Sequence, residues 1–282
     1  AFDLLHMLAL ELTGKIDEAA KEYTEIVNNS QMNLGILYRY FEFCIKYERQ
    51  TELSKMADRL NASTVPEHKA LAPFFRAEEL LLREKKDEAL SLLETAKTDQ
   101  PDFAFRAAIL FSKNGMLDQA LSRYLALVDN YPEKQMVFAN IAEVYLAKGM
   151  KTQALSYAKR CWETNPDDEL GQFIYAQVLT ANGQYQDAER VLKIPNRKVE
   201  LPDEVGKLWS DIMLHCVQED LAKGLFSRAL ERAKHYLIFF PEDSTFQEFK
   251  ARAEQEFRKK PSNSERTKQE SAGLYGGKPE TL

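Results

Sequence analysis

Small and large apolar residues recur along the chain in one fixed frame. Ala19, Ala89, Ala120, Ala154, Ala188 and Ala229 each follow a glycine by five residues, except at Ala89, where Glu84 stands in that place. A second alanine precedes the anchor by twelve residues at Ala77, Ala108, Ala142 and Ala176, and a large side chain precedes it by nine at Leu80, Phe111, Tyr145 and Leu179. Four residues after the anchor come Leu93, Tyr124, Ala158 and Leu192, on the same helical face. Two helices pack closely only where both present a small side chain, so paired alanines flanking a turn predict antiparallel helical hairpins. The glycine suits the left-handed residue that ends the first helix. Asp17, Asp87, Asp118 and Thr152 are expected to cap the second. Prolines at 101, 132, 166 and 241 follow twelve residues after four of the anchors and are expected to close the second helix.

The frame repeats every 34 residues from Ala120 to Ala154 to Ala188, and it loosens on both sides. Residues 31–65 predict a degenerate hairpin, with helices over QMNLGILYRYFEFCIKYE and TELSKMADRLN and with Leu53 in the alanine place. Between Ala188 and Ala229, LKIPNRKVELPDEV predicts an early stop at Pro195 and a restart near Pro202, which is either a kink or a boundary between two sub-arrays. A last helix is expected over Ser244–Lys260, with a thin stripe of Phe246, Phe249, Ala253 and Phe257 and a polar far side that suits the end of an array. The expected division is 1–65 degenerate repeats, 66–195 regular repeats, 196–260 a divergent last repeat with its capping helix, and 261–282 a disordered tail of little apolar content. The opening AFDLLHMLALEL reads as an amphipathic helix already under way, so the chain is expected to be a segment of a longer protein.

The stretches GKIDEAAKEY, GMLDQALSRY, GMKTQALSYA and GQYQDAERVL, with the closing prolines, resemble the tetratricopeptide repeat family over about residues 3–245. The chain departs from that family in the first helix of each repeat, where the Trp and Gly are missing and Ala stands where Gly is usual. The resemblance implies an all-α, right-handed superhelical solenoid of about seven antiparallel hairpins. It also implies a concave groove lined by the first helices. Counting from the anchors places Phe74, Glu78, Leu82, Phe105, Ile109, Lys113, Ala139, Glu143, Phe173 and Gln177 toward that groove. Phe74, Phe105 and Phe173 would form an aromatic row edged by Glu78 and Glu143. Such a groove disfavours an acidic tail and suits a protein or peptide partner with apolar and some basic residues. The implied function is a non-catalytic protein–protein interaction scaffold that binds a peptide or helix. The alternatives are the recognition arm of an enzyme whose catalytic domain lies outside this segment, or a self-association module forming a homo-oligomer.

Composition agrees with that reading. Apolar residues make up 44% and charged residues 29% of 282, which supplies a core and a solvated surface. The net charge of −6 argues against duplex nucleic acid as a partner. No run of ~18 apolar residues predicts a membrane span. The compartment is left as cytoplasmic or periplasmic. Cys44, Cys161 and Cys216 are odd in number and widely spaced, and they read as small buried hydrophobes. The four histidines, His6, His68, His215 and His235, have no metal-ligand spacing, so neither metal nor cofactor is expected. Ser156 and Lys159 match SxxK in letters but lie inside a repeat helix without companion motifs. GLYGGK at 273–278 is one residue short of a phosphate loop. Catalysis therefore has no constellation to stand on.

Overall fold

The computed structural model describes residues 2–29 and 32–259, and every regular element among them is helical. The tail expected at 261–282, including GLYGGK, lies outside the described residues. Two compact units divide the chain at Tyr157 and Ala158.

The first unit holds four complete hairpins and the start of a fifth: α1 (Phe2–Leu12) with α2 (Ile16–Asn29), α3 (Leu34–Lys46) with α4 (Gln50–Asn61), α6 (Ala72–Leu82) with α7 (Lys86–Thr95), α8 (Pro101–Lys113) with α9 (Leu117–Leu127), and α10 (Lys134–Ala147) with α11 (Lys151–Thr164). A one-turn helix, α5 (Pro66–Lys69), links α4 to α6. The division between the units falls inside α11. The second unit holds α12 (Glu169–Ala181) with α13 (Tyr185–Val191), α14 (Asp203–Ala222) with α15 (Phe226–Phe239), and the terminal α16 (Ser244–Lys259). Antiparallel hairpins repeated along the chain are thus the architecture, as the alanine frame predicts.

The turn chemistry explains why the frame works. Gly14, Gly115, Gly149, Gly183 and Gly224 all have φ between 67° and 76°. Glu48 and Glu84 fill the same place in the other two hairpins at φ 52° and 60°. In each hairpin the next residue donates its backbone N–H to a carbonyl five residues back, from Lys15 to Leu10 through Leu225 to Asp220, at 2.8–2.9 Å. These are the 6→1 bonds of a Schellman turn, which satisfies carbonyls the ending helix leaves orphaned. The anchor residue then begins the second helix fully buried, whether it is alanine or Leu53. Its partners Ala77, Ala108, Ala142 and Ala176 are fully buried too.

Two expectations are corrected here. Asp87 and Asp118 do not cap: the cap residues are Lys85 and Met116, without a side-chain cap bond, and the two aspartates sit in the first turn. There a carboxylate favours the helix dipole, and Asp118 instead pairs with Lys148 at 2.5 Å, tying the fourth hairpin to the fifth. Pro101 does not stop α7, which ends at Thr95; it opens α8 from a first-turn position, where its missing N–H is harmless.

In the second unit α13 is only seven residues long and ends before Pro195, and α14 opens after Pro202. A buried polar clamp compensates for the short helix. Asp220 on α14 is fully buried and receives Arg228 and Arg232 from α15, and Arg232 also holds Glu189 on α13. Burial alone would lower the Arg232 pKa, but its bonds to Glu189 and Asp220 raise it above the ordinary arginine value. Tyr236 stacks on Phe246 at 3.7 Å and seats α16 on α15.

Candidate functional site

The first unit carries an open groove of about 810 Å³ lined by side chains of α1, α3, α8 and α10. Its floor is aromatic. Phe41, Phe43 and Phe105 line it, and Phe41 also belongs to a buried cluster with Phe75 and Phe103, ring centroids 4.7–6.0 Å apart. Tyr38 stands edge-on to Phe103 at 5.2 Å, and Tyr131 stacks on Phe105 at 4.7 Å. Both tyrosines turn their hydroxyls into a group of carboxylates: Tyr38 faces Glu42, and Tyr131 faces Asp102 with Glu133 nearby. Leu8, Ile109 and Met136 add apolar surface at the same opening.

The electrostatics of the groove follow from who is already paired. Arg106 donates Nε to Glu78 at 2.6 Å and a second N–H at 3.2 Å, a two-pronged bond. Lys46 pairs with Glu11, which also accepts from Tyr23 and Tyr47. Burial pushes the Asp102 pKa above the usual carboxylate range; the Tyr131 hydroxyl draws it down and Glu133 adds to the rise. Burial, together with Asp102 and Glu133, pushes the Tyr131 hydroxyl up to about 12. No group of three His, Cys, Asp or Glu among the described residues is placed to hold a metal ion.

Two larger hollows, of about 1050 and 1010 Å³, lie between α2, α3 and α4 and between α7, α8 and α9. The first is rimmed by charges that answer one another, as in the Arg49–Asp17 and Arg49–Glu52 pairs. The second is crossed by Arg123, which donates to the Ala96 carbonyl at 3.0 Å. Neither gathers as many aromatic side chains as the α1–α3–α8–α10 groove does.

Of the ten residues counted toward a groove, Phe105 and Ile109 line this one. Phe74 and Glu78 are corrected. Phe74 is buried on α6 with its ring 5.7 Å from Phe103, so it is core and not partner surface. Glu78 is buried under Arg106 and presents no free charge at the rim. Ala139 is buried on α10, Leu82 is half-buried against the core, and Lys113 and Glu143 are exposed. Phe173 and Gln177 lie half-buried on α12 of the second unit, where Oε1 of Gln177 is buried with no hydrogen-bond partner. The frame missed Tyr38, Glu42, Asp102, Tyr131 and Glu133. The signal available was the tyrosine–acid pairing in YRYFEF and in the NYPE turn, which lies outside the counted positions.

Residues 103–134 match the tetratricopeptide repeat family model. That match covers α9 and nearly all of α8, the hairpin with the fullest frame. Residues 103–134 thus form a tetratricopeptide repeat. Among solved structures, the C-terminal part of a tetratricopeptide repeat-containing protein from Cytophaga hutchinsonii is similar over 86% of this chain and 98% of its own, with 12% identity and a TM-score of 0.51. At that identity the likeness speaks for the fold alone. PilF of Pseudomonas aeruginosa aligns with 84% of this chain and 99% of its own at 18% identity and a TM-score of 0.47. A chain of the Cut9–Hcn1 hetero-tetramer aligns at 15% identity and a TM-score of 0.48; the alignment covers 92% of the present chain and half of that one. No curated protein matches the sequence. No helix among the described residues is long and apolar enough to cross a membrane.

Proposed function

We propose that this chain is an interaction scaffold and that the groove of α1, α3, α8 and α10 receives a short segment of a partner protein. The observation that carries this reading is the groove's build: partly exposed Tyr38, Leu8, Ile109 and Met136 stand on a rigid, buried aromatic floor. Rigid aromatic surface beside apolar side chains gives a peptide contact area at little conformational cost. Four of the unit's hairpins each contribute one helix to this surface, through α1, α3, α8 and α10.

Selection of a displayed library of random short peptides on the full chain tests the proposal. Leu8→Asn and Met136→Asn remove exposed apolar surface without adding charge and should weaken selected peptides about tenfold together. Peptides that bind both proteins equally would place recognition elsewhere.

A self-association reading has one observation behind it. Leu5, Leu8 and Leu12 form an exposed stripe on α1, and Leu12 is 87% exposed. Light scattering across a concentration series decides it: a mass that stays at one chain overturns it.

A further inference from the structure

We infer that the groove selects a partner segment by a lysine or arginine side chain, seated between Tyr38 and Tyr131 against Glu42, Asp102 and Glu133, with the segment's apolar residues against Leu8, Ile109 and Met136. This rests on the reading of the groove as a peptide site and adds the chemistry of what it takes.

Part of the charge at the groove is already paired. Seven charged residues line the groove: Glu11, Arg39, Glu42, Lys46, Asp102, Arg106 and Glu133. Lys46 is tied to Glu11, and Arg106 is tied by two bonds to the buried Glu78. Glu42, Asp102 and Glu133 enter no ion pair among the described residues, and Arg39 alone remains as an unpaired cation beside them. Arg106 also feels Glu42, and Glu42 and Asp102 accept bonds from Tyr38 and Tyr131, but three carboxylates against Arg39 still leave the opening with an excess of negative charge. An acidic segment would meet repulsion there, and a basic side chain would complete the set.

The geometry narrows the cation. The carboxylates stand around two tyrosines, and Asp102 gains from any cation that offsets its burial beside Glu133. They are not grouped closely enough to hold a metal ion. A cation on a long apolar stem meets both demands: its methylenes lie along the Tyr38 and Tyr131 rings while its head reaches the carboxylates. Glu42 comes from α3, Asp102 from the first turn of α8, and Glu133 from the turn entering α10. Three separate parts of the scaffold thus converge on one position.

Two linked measurements on the full chain test this. Peptides from the random displayed library should be enriched in arginine or lysine at one position. Replacing that residue by citrulline or norleucine should weaken binding at least tenfold, and raising the salt should weaken the parent peptide more than the neutral one. The combined E42Q, D102N and E133Q variant should abolish the preference for the charged peptide. Exposed Glu133→Gln alone, with unchanged helicity and melting, should reduce it severalfold. If peptides that need Leu8 and Met136 bind without a basic residue, and E133Q and the neutral swap change nothing, the charge selection is wrong and the groove stands. If no peptide depends on Leu8 and Met136, the groove reading falls and this inference falls with it.

Discussion

Replacing Glu78 by Gln leaves the Arg106 guanidinium without its counter-charge beneath the groove. The Glu78 side chain is 6% exposed and that of Arg106 is 27% exposed. An exposed ion pair contributes about 0–1 kcal/mol, and losing one partner of a fully buried pair costs about 3–5 kcal/mol. One buried and one partly wetted partner fall between these limits, at about 2 kcal/mol. For a unit of this size, that corresponds to a lowering of the melting temperature by about 4–8 °C. A double-mutant cycle separates the pair from its surroundings: Glu78→Gln, Arg106→Met and the combined variant, each followed by urea unfolding. The combined variant leaves no charge orphaned. It should therefore be more stable than the sum of the single losses implies, with a coupling of about 1.5–2 kcal/mol. A coupling below about 0.5 kcal/mol would show that Arg106 finds water as readily as Glu78, and the account of its neutralisation in the groove would be wrong.

The turns give a second test. Glu84 occupies the left-handed place at φ 60°, so Glu84→Gly should stabilise the chain by about 0.5–1 kcal/mol; Gly115→Ala, where an added Cβ meets nothing within 4 Å, should cost about 1 kcal/mol from backbone conformation alone. Asp220→Asn should destabilise the second unit by about 3 kcal/mol, because two arginines then share a neutral partner; a melting curve that overlays the parent would overturn the clamp. The Asp102 carboxyl holds its proton more tightly folded than unfolded, so ionisation works against folding. Asp102→Asn should therefore gain on the parent as pH rises through that raised range, and the gap should close below the ordinary carboxylate value, as urea midpoints at several pH values will show. Burial pushes the Cys44 and Cys216 thiols up to about 12, and Cys161 is buried as well, so a disulfide reagent at mildly alkaline pH should label thiols only as the chain unfolds.

The hairpins were legible because their signals are local. A left-handed residue five positions before a buried anchor is a property of one turn, and it can be read without knowing what lies across the fold. Even Glu48, five residues before Leu53, keeps the geometry where the glycine and the alanine have both been lost. The groove was less legible because its residues answer to partners elsewhere in the chain. Glu78 reads as a rim charge until Arg106, 28 residues on, is seen to cover it. Phe74 reads as an anchor for a ligand until Phe103 is found packed against its ring. Tyr131 and Glu133 lie in the turn between α9 and α10, where no helical count reaches, and Tyr38 belongs to the hairpin whose pattern is weakest. Counting from an anchor says which side of a helix a residue takes; it does not say how deep the neighbouring hairpin buries it.

The Schellman bonds close each turn inside its own hairpin, and this has a consequence for how the chain acquires its structure. The left-handed residue of each hairpin turn is fixed by atoms within six positions of it, so a corner forms without waiting for a distant segment. Contacts of short sequence separation favour rapid collapse and allow several starting points along one polypeptide. Whole hairpins can then be added to or removed from the array during evolution without inventing a new bend, and the demand on a newcomer reduces to matching the apolar faces of its two neighbours.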